Sequence, residues 1–121
     1  DFTYIDDIVK GILSSSDAPA QPNDLWDPNQ PDPSSSSSPF RILNIGNGKK
    51  VNLENYISEI EQNLGKKAIK EYLPLQPGDV TDSLSDISKI SEEIGYKSTV
   101  SYKEGVAKFI AWYKDYYEKN T

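Results

Sequence analysis

The sequence predicts a small α+β domain, mostly helices with a few short strands, and three observations carry that expectation. The 121 residues suffice for one domain with a modest core. Apolar residues recur at helical spacing in four stretches, with two alternating stretches between them. No strand–glycine-loop–helix unit of the dinucleotide-binding kind occurs, so a Rossmann domain is not expected.

The elements follow in the order helix, strand, helix, strand, helix, helix. Ile5, Ile8, Val9 and Ile12 fall on a helical stripe, with Asp6 and Asp7 in the first turn where carboxylates suit the helix dipole. The serines at 14–16 are expected to stop it. Residues 15–39, rich in proline and serine, read as a long surface loop with Trp26 pinning its middle to the body. Residues 40–45 read as a strand, and Gly46-Asn47-Gly48 as a turn. Asn52 suits an N-cap, Leu53, Tyr56, Ile57, Ile60 and Leu64 one apolar face, and Gly65 the C-terminal stop. Residues 67–73 alternate like a half-exposed strand, and Gln76-Pro77-Gly78-Asp79 is a loop. Asp86 can cap a short helix closed by Gly95. Ser101-Tyr102-Lys103-Glu104 forms a capping box for the last helix, whose buried stripe is expected at Val106, Phe109, Ile110, Tyr113 and Tyr116 or Tyr117.

Composition narrows the chemistry. Histidine and cysteine are both absent, which removes the commonest general base, thiolate nucleophiles and zinc–cysteine sites. The missing cysteine fits a cytoplasmic location. Nineteen acidic against thirteen basic residues give −6, and no basic stripe offsets it, so nucleic acid is not expected as a partner. No apolar run approaches a membrane span. Methionine is absent too, so the sequence is expected to be a piece of a longer protein.

Few residues carry a chemical signal by themselves. Gly46-Asn47-Gly48 with Lys49 and Lys50 lacks the spacing of either glycine-rich phosphate loop and reads better as a plain turn. Adjacent carboxylates at Asp6 and Asp7 diverge by about 100° on a helix and make no acid/base pair. Gln76 and Asp79, projecting from a tight loop, could hydrogen-bond a polyhydroxylated ligand, although a type II turn explains them equally.

The motifs in their order are more telling. The run from Asp1 to Ile8, D-F-T-Y-I-D-D-I, resembles the R-D-F-T-Y-V-D-D-I segment that opens the C-terminal part of extended short-chain dehydrogenases/reductases acting on nucleotide sugars. The Pro-, Trp- and Ser-rich stretch running into Pro39-Phe40-Arg41 and Asn44-Ile45-Gly46 is similar to that of the UDP-glucuronate 4-epimerases. So are Gln76-Pro77-Gly78-Asp79-Val80, Ile94-Gly95-Tyr96-Lys97 and the run from Gly105 to Tyr113, with Ser98 standing where those enzymes have proline.

This resemblance spans nearly the whole chain and implies a C-terminal substrate-binding part whose Rossmann part is absent. It implies a parent that holds NAD in an N-terminal Rossmann domain, oxidises the sugar at carbon 4 and returns the hydride to the opposite face. The catalytic Y-x-x-x-K pair and the glycine loop would lie in that other part. Neither occurs here, since Tyr113-Lys114 and Tyr117-Glu118-Lys119 lack the spacing. The resemblance places Phe2 near the UDP, Val51 against the nucleotide, and Gln76 and Asp79 at the diphosphate–ribose region. Galactose-type epimerases have arginine at the position of Gln76, and losing that charge-assisted contact is worth about 1.5–3 kcal/mol. Glutamine points instead to the glucuronate branch. A UDP-sugar, the N-terminal domain and, for the parent, a second copy are the implied partners. Related N-acetylhexosamine or uronate 4-epimerases, sugar-nucleotide dehydratases and, more distantly, an acidic interaction module are the alternatives.

Overall fold

The computed structural model describes residues 1–118, and Lys119 lies outside them. Four helices form: α1 (Ile5–Asp17), α2 (Leu53–Leu64), α3 (Ser88–Ile94) and α4 (Tyr102–Glu118). Their order and approximate extents follow the apolar periodicity. The expected strands do not pair: among the described residues the only ladder contact is an isolated antiparallel bridge between Ser35 and Arg41. Residues 40–45 and 67–73 run as extended chain, because the backbone has the conformation but no neighbouring strand to bond. No helix among the described residues is long and apolar enough to cross a membrane.

The helix ends show why the sequence breaks where it does. Asn52 Oδ1 accepts from Glu54 N at 2.9 Å, and Gly65, at φ 69°, returns its own N–H to Glu61 O. Gly95 closes α3 in the same left-handed conformation. Asp86 serves as a turn just ahead of α3, its Oδ1 accepting from Ser88 N and Oγ, while Ile87 occupies the cap position. Half of the capping box forms: Ser101 Oγ accepts from Glu104 N at 3.2 Å, but Glu104 turns forward to Lys108 at 2.8 Å. The serines at 15–16 do not stop α1. Ser15 and Ser16 bond back to the carbonyls of Gly11 and Ile12, so the hydroxyls are satisfied within the helix and it continues to Asp17.

Beyond α1 the polar loop is held by its own hydrogen bonds. Asp32 gathers Ser34 N, Ser34 Oγ and Ser35 Oγ, which holds its carboxyl below the usual range. Trp26 donates to Asp32 O at 3.2 Å, so it closes the loop on itself. The ties to the body are made by Lys89 on Ser34 Oγ and by Arg41, which reaches both Glu93 and Ala18 O.

α2 and α4 pack against each other, and Ile90, Tyr96, Val100, Val106 and Ile110 make the buried core. Phe109, Tyr113, Tyr116 and Tyr117, expected inside, are about half exposed and lie against one another with Trp112 along α4. Their periodicity is helical, but among the described residues that face stays about half exposed.

Asp7 turns inward to join α1 to the start of α4. Its side chain is 1% exposed. Thr99 N and Val100 N, at 3.0 and 2.9 Å, and the hydroxyls of Ser98 and Thr99, at 3.0 and 2.8 Å, all donate to it. Burial alone would raise this carboxyl's pKa, but these donors outweigh it and hold the group below 3.8. The folded value is therefore depressed, so the stabilisation is present above the unfolded pKa and lost as pH falls through the folded one. Asp7→Asn replaces one accepting oxygen with an NH2 that faces donors, and about 3 kcal/mol should be lost at pH 7. Urea midpoints measured across pH 2–7 check both points: the wild type weakens below about pH 4, and the gap to the variant closes over the same range.

Candidate functional site

Two carboxylates near the beginning of the chain fix the backbone around a cleft. Asp7 holds residues 98–100 as described. Asp1 accepts from Asn47 N (3.0 Å), Gly48 N (2.9 Å) and Ser85 N (3.1 Å), with Thr3 Oγ1 at 3.1 Å. A single carboxylate thus ties the lead-in to α1, the 46–48 turn and the 83–85 segment together, because charge-assisted bonds replace a sheet these segments do not form. Gly46 is where the last two touch: a Cβ there would stand 2.3 Å from Ser85 Cβ. Gly48 needs a φ of 69°, and Tyr96 donates to Gly46 O at 2.9 Å from beneath. Burial, with the charge of Asp7 second, raises the Tyr96 phenol, so it stays a donor.

The cleft measures about 400 Å³ and lies between residues 1–2, 50–53 and 80–83. Phe2 and Val51 both line it. Phe2 is backed by Tyr56 of α2, ring centroids 3.9 Å apart and 16° from parallel, with Tyr102 beyond at 6.3 Å. The aromatic stack sets the Phe2 ring as a flat wall. A smaller, more apolar hollow of about 240 Å³ adjoins its other side, against Tyr4, Val106 and Phe109.

Gln76 and Asp79 do not line this cleft. They are the first and last residues of an exposed turn closed by Asp79 N on Gln76 O at 3.1 Å, with Gly78 at φ 95° in the third position of a type II turn. Asp79 precedes Val80 on the cleft wall, so the turn stands at its rim. The arm leading to it is held to α2 by Lys70 and Tyr72 on Glu54 and by Lys67 on Glu61. Hydrogen bonds from Lys70 and then Tyr72 lower the Glu54 carboxyl. Along the arm Ile69, Tyr72, Leu73 and Leu75 are exposed.

Sequence reasoning missed the 80–83 wall, Lys50 and the role of Asp1. Nothing local in the sequence marks residues 80–83 as facing residues 50–53. The reading of Gly46-Asn47-Gly48 as a turn is supported, since two of the amides a phosphate would need already bond Asp1. Among the described residues no group of three or more histidine, cysteine, aspartate or glutamate side chains is placed to hold a metal ion.

Because Gly46 and Ser85 touch, Gly46→Ala should cost about 2 kcal/mol in denaturant unfolding. Adding Ser85→Gly, which removes the opposing Cβ, should restore roughly half of that or more.

No family model matches the chain. Comparison with individual proteins is more informative. The chain is 43% identical over 119 residues to Protein CapI of Staphylococcus aureus, covering 98% of this chain and 36% of that protein. It is 37% identical over 120 residues to a protein of Rhizobium meliloti named probable UDP-glucuronate 4-epimerase, covering 98% of this chain and 35% of that one. Among solved structures, UDP-glucuronic acid 4-epimerase from Bacillus cereus, in complex with UDP-glucuronic acid and NAD, superimposes with a TM-score of 0.72 at 28% identity. That match covers 97% of this chain and 32% of the other. The chain spans about a third of the length of the relatives it matches. In sequence and in fold, nearly all of it is similar to the C-terminal part of the UDP-glucuronate 4-epimerases.

Proposed function

We propose that this chain is the UDP-sugar-binding part of an NAD-dependent nucleotide-sugar 4-epimerase that interconverts UDP-glucuronate and UDP-galacturonate. The observation that carries the reading is the cleft of about 400 Å³, where Phe2 and Val51 meet in a chain similar throughout to part of such epimerases. Phe2 offers a flat apolar wall for the uracil end, and Val51 packs against the nucleotide. Gln76 and Asp79 wait at the rim for the diphosphate–ribose region. Gln76 and Asp79 are hydrogen-bonding groups suited to hydroxyls and amides, while Phe2 and Val51 offer apolar contact.

NAD, when bound, accepts and returns the hydride at carbon 4. This chain's residues do not fit it: no helix opens on a glycine-rich turn, and Y-x-x-x-K is absent. The cofactor and the acid/base pair are assigned to an N-terminal Rossmann part. The exposed apolar surface supports that division. Ile5, Val9, Ile12 and Leu13 on α1 and the aromatic row on α4 are each between 44% and 60% exposed, more apolar surface than a separate small domain ordinarily leaves in water. The cysteine-free composition fits a cytoplasmic setting.

The test is to incubate the full-length protein with NAD and UDP-glucuronate and to follow the sugar's anomeric proton by NMR. UDP-galacturonate should appear and approach equilibrium. Turnover of UDP-galactose or UDP-N-acetylglucosamine in its place would move the substrate while leaving the epimerase reading, and no turnover of any would overturn it.

A further inference from the structure

The cleft lies in a chain of net charge −6, where a doubly phosphorylated ligand meets repulsion unless a local cation offsets it. Several other groups that could hold phosphate already have partners or carry no charge. Asn47 N and Gly48 N bond Asp1, the side chain of Asn52 takes Glu54 N in the first turn of α2, and position 76 is a neutral glutamine. Among the described residues Lys50 is the one cationic side chain lining the cleft. It sits beside Val51, and its ammonium reaches Asp82 on the opposite wall at 3.5 Å, the two side chains being 60% and 68% exposed. An exposed pair at that separation contributes little to stability and is readily exchanged.

We propose that Lys50 is the cation that receives the diphosphate in this cleft, and that Asp82 is its resting counter-ion, displaced when the ligand enters. The inference rests on the UDP-sugar reading above. Lysine suits the exchange: its ammonium is a point charge with three rotatable donors on a flexible stem, so it turns from one anion to another without moving the backbone. Two phosphate groups carry more charge than one carboxylate and accept stronger bonds, so the exchange favours the ligand. Asp82 then has a selective effect, because it opposes any anion too weak to displace it.

A brace and a displaced counter-ion give opposite signs at Asp82. If the pair only braces the two walls, removing either partner loosens the cleft and weakens binding. If Asp82 competes with the ligand, Asp82→Asn frees Lys50 and tightens binding. Calorimetric titration of the full-length protein with UDP at low salt separates the two. Lys50→Gln should weaken UDP roughly tenfold, Lys50→Arg should stay within about threefold of wild type, and Asp82→Asn should tighten it about two- to fivefold. Both positions are exposed, and unchanged melting temperatures would show that the fold is kept. Weakening by Lys50→Gln and Asp82→Asn alike, or a Lys50→Gln variant that binds as wild type does, overturns the inference and leaves the site reading standing. A wild-type protein that binds no UDP overturns both.

Discussion

The fold depends on burying one carboxylate. Helices of this length contribute little by themselves, and the apolar core is small, with Ile90, Tyr96, Val100, Val106 and Ile110 as its buried hydrophobic residues. What orients α1 against the rest is Asp7, whose two oxygens take backbone and hydroxyl protons from residues 98–100. Removing a charge from water is costly unless every lone pair is matched, so the arrangement admits one geometry for the 98–100 segment. That segment opens α4, and α4 carries the core against α2. The orientation of α1, the start of α4 and the position of Tyr96 beneath Gly46 are thus coupled through a single side chain.

A second carboxylate does for the cleft what the first does for the body. Residues 46–53 and 80–85 have neither a sheet nor a long helix to satisfy their amides, and Asp1 supplies acceptors to three of them. The two anchors differ in kind. Asp7 is sealed and sets the fold, whereas Asp1 stands at the cleft's edge and sets the distance between its walls. Gly46, too close to Ser85 for any side chain, shows how tightly the segments leading into those walls are drawn together. The rim is looser, crossed by an exposed ion pair and flanked by the 76–79 turn.

What the sequence revealed and what it hid divide along the range of the interactions. Asn52, Gly65, Gly95 and Ser101 were legible because a cap acts within four residues and has a composition of its own. The motif series was legible as a resemblance because its elements follow one another in order. Asp7 read only as a first-turn carboxylate, which it also is. Its partners lie more than ninety positions away, and no local pattern distinguishes a dipole match from a buried acceptor. The serines at 15–16 misled for a related reason, since a hydroxyl can end a helix or bond back into it with equal chemistry.

The remaining misreadings share one physical cause. Periodicity reports that a face is apolar, but not that this chain supplies the surface to cover it. Residues 67–73 alternate as a strand should, yet run unpaired, with Ile69 fully exposed. The stripe on α4 recurs as a core stripe should, yet Phe109, Trp112 and Tyr113 stay about half exposed, lying against one another. Ile5 and Val9 on α1 repeat the pattern. Each meets solvent here, while among the described residues no buried side-chain nitrogen or oxygen lacks a hydrogen-bond partner. Polar groups that cost most when unpaired find their partners within the chain. Apolar faces, which cost less per residue when exposed, are the ones left in solvent. The cleft shows the same asymmetry: Asp1 fixes the backbone beside it through three amides, while the arm leading to its rim leaves Ile69, Tyr72, Leu73 and Leu75 exposed.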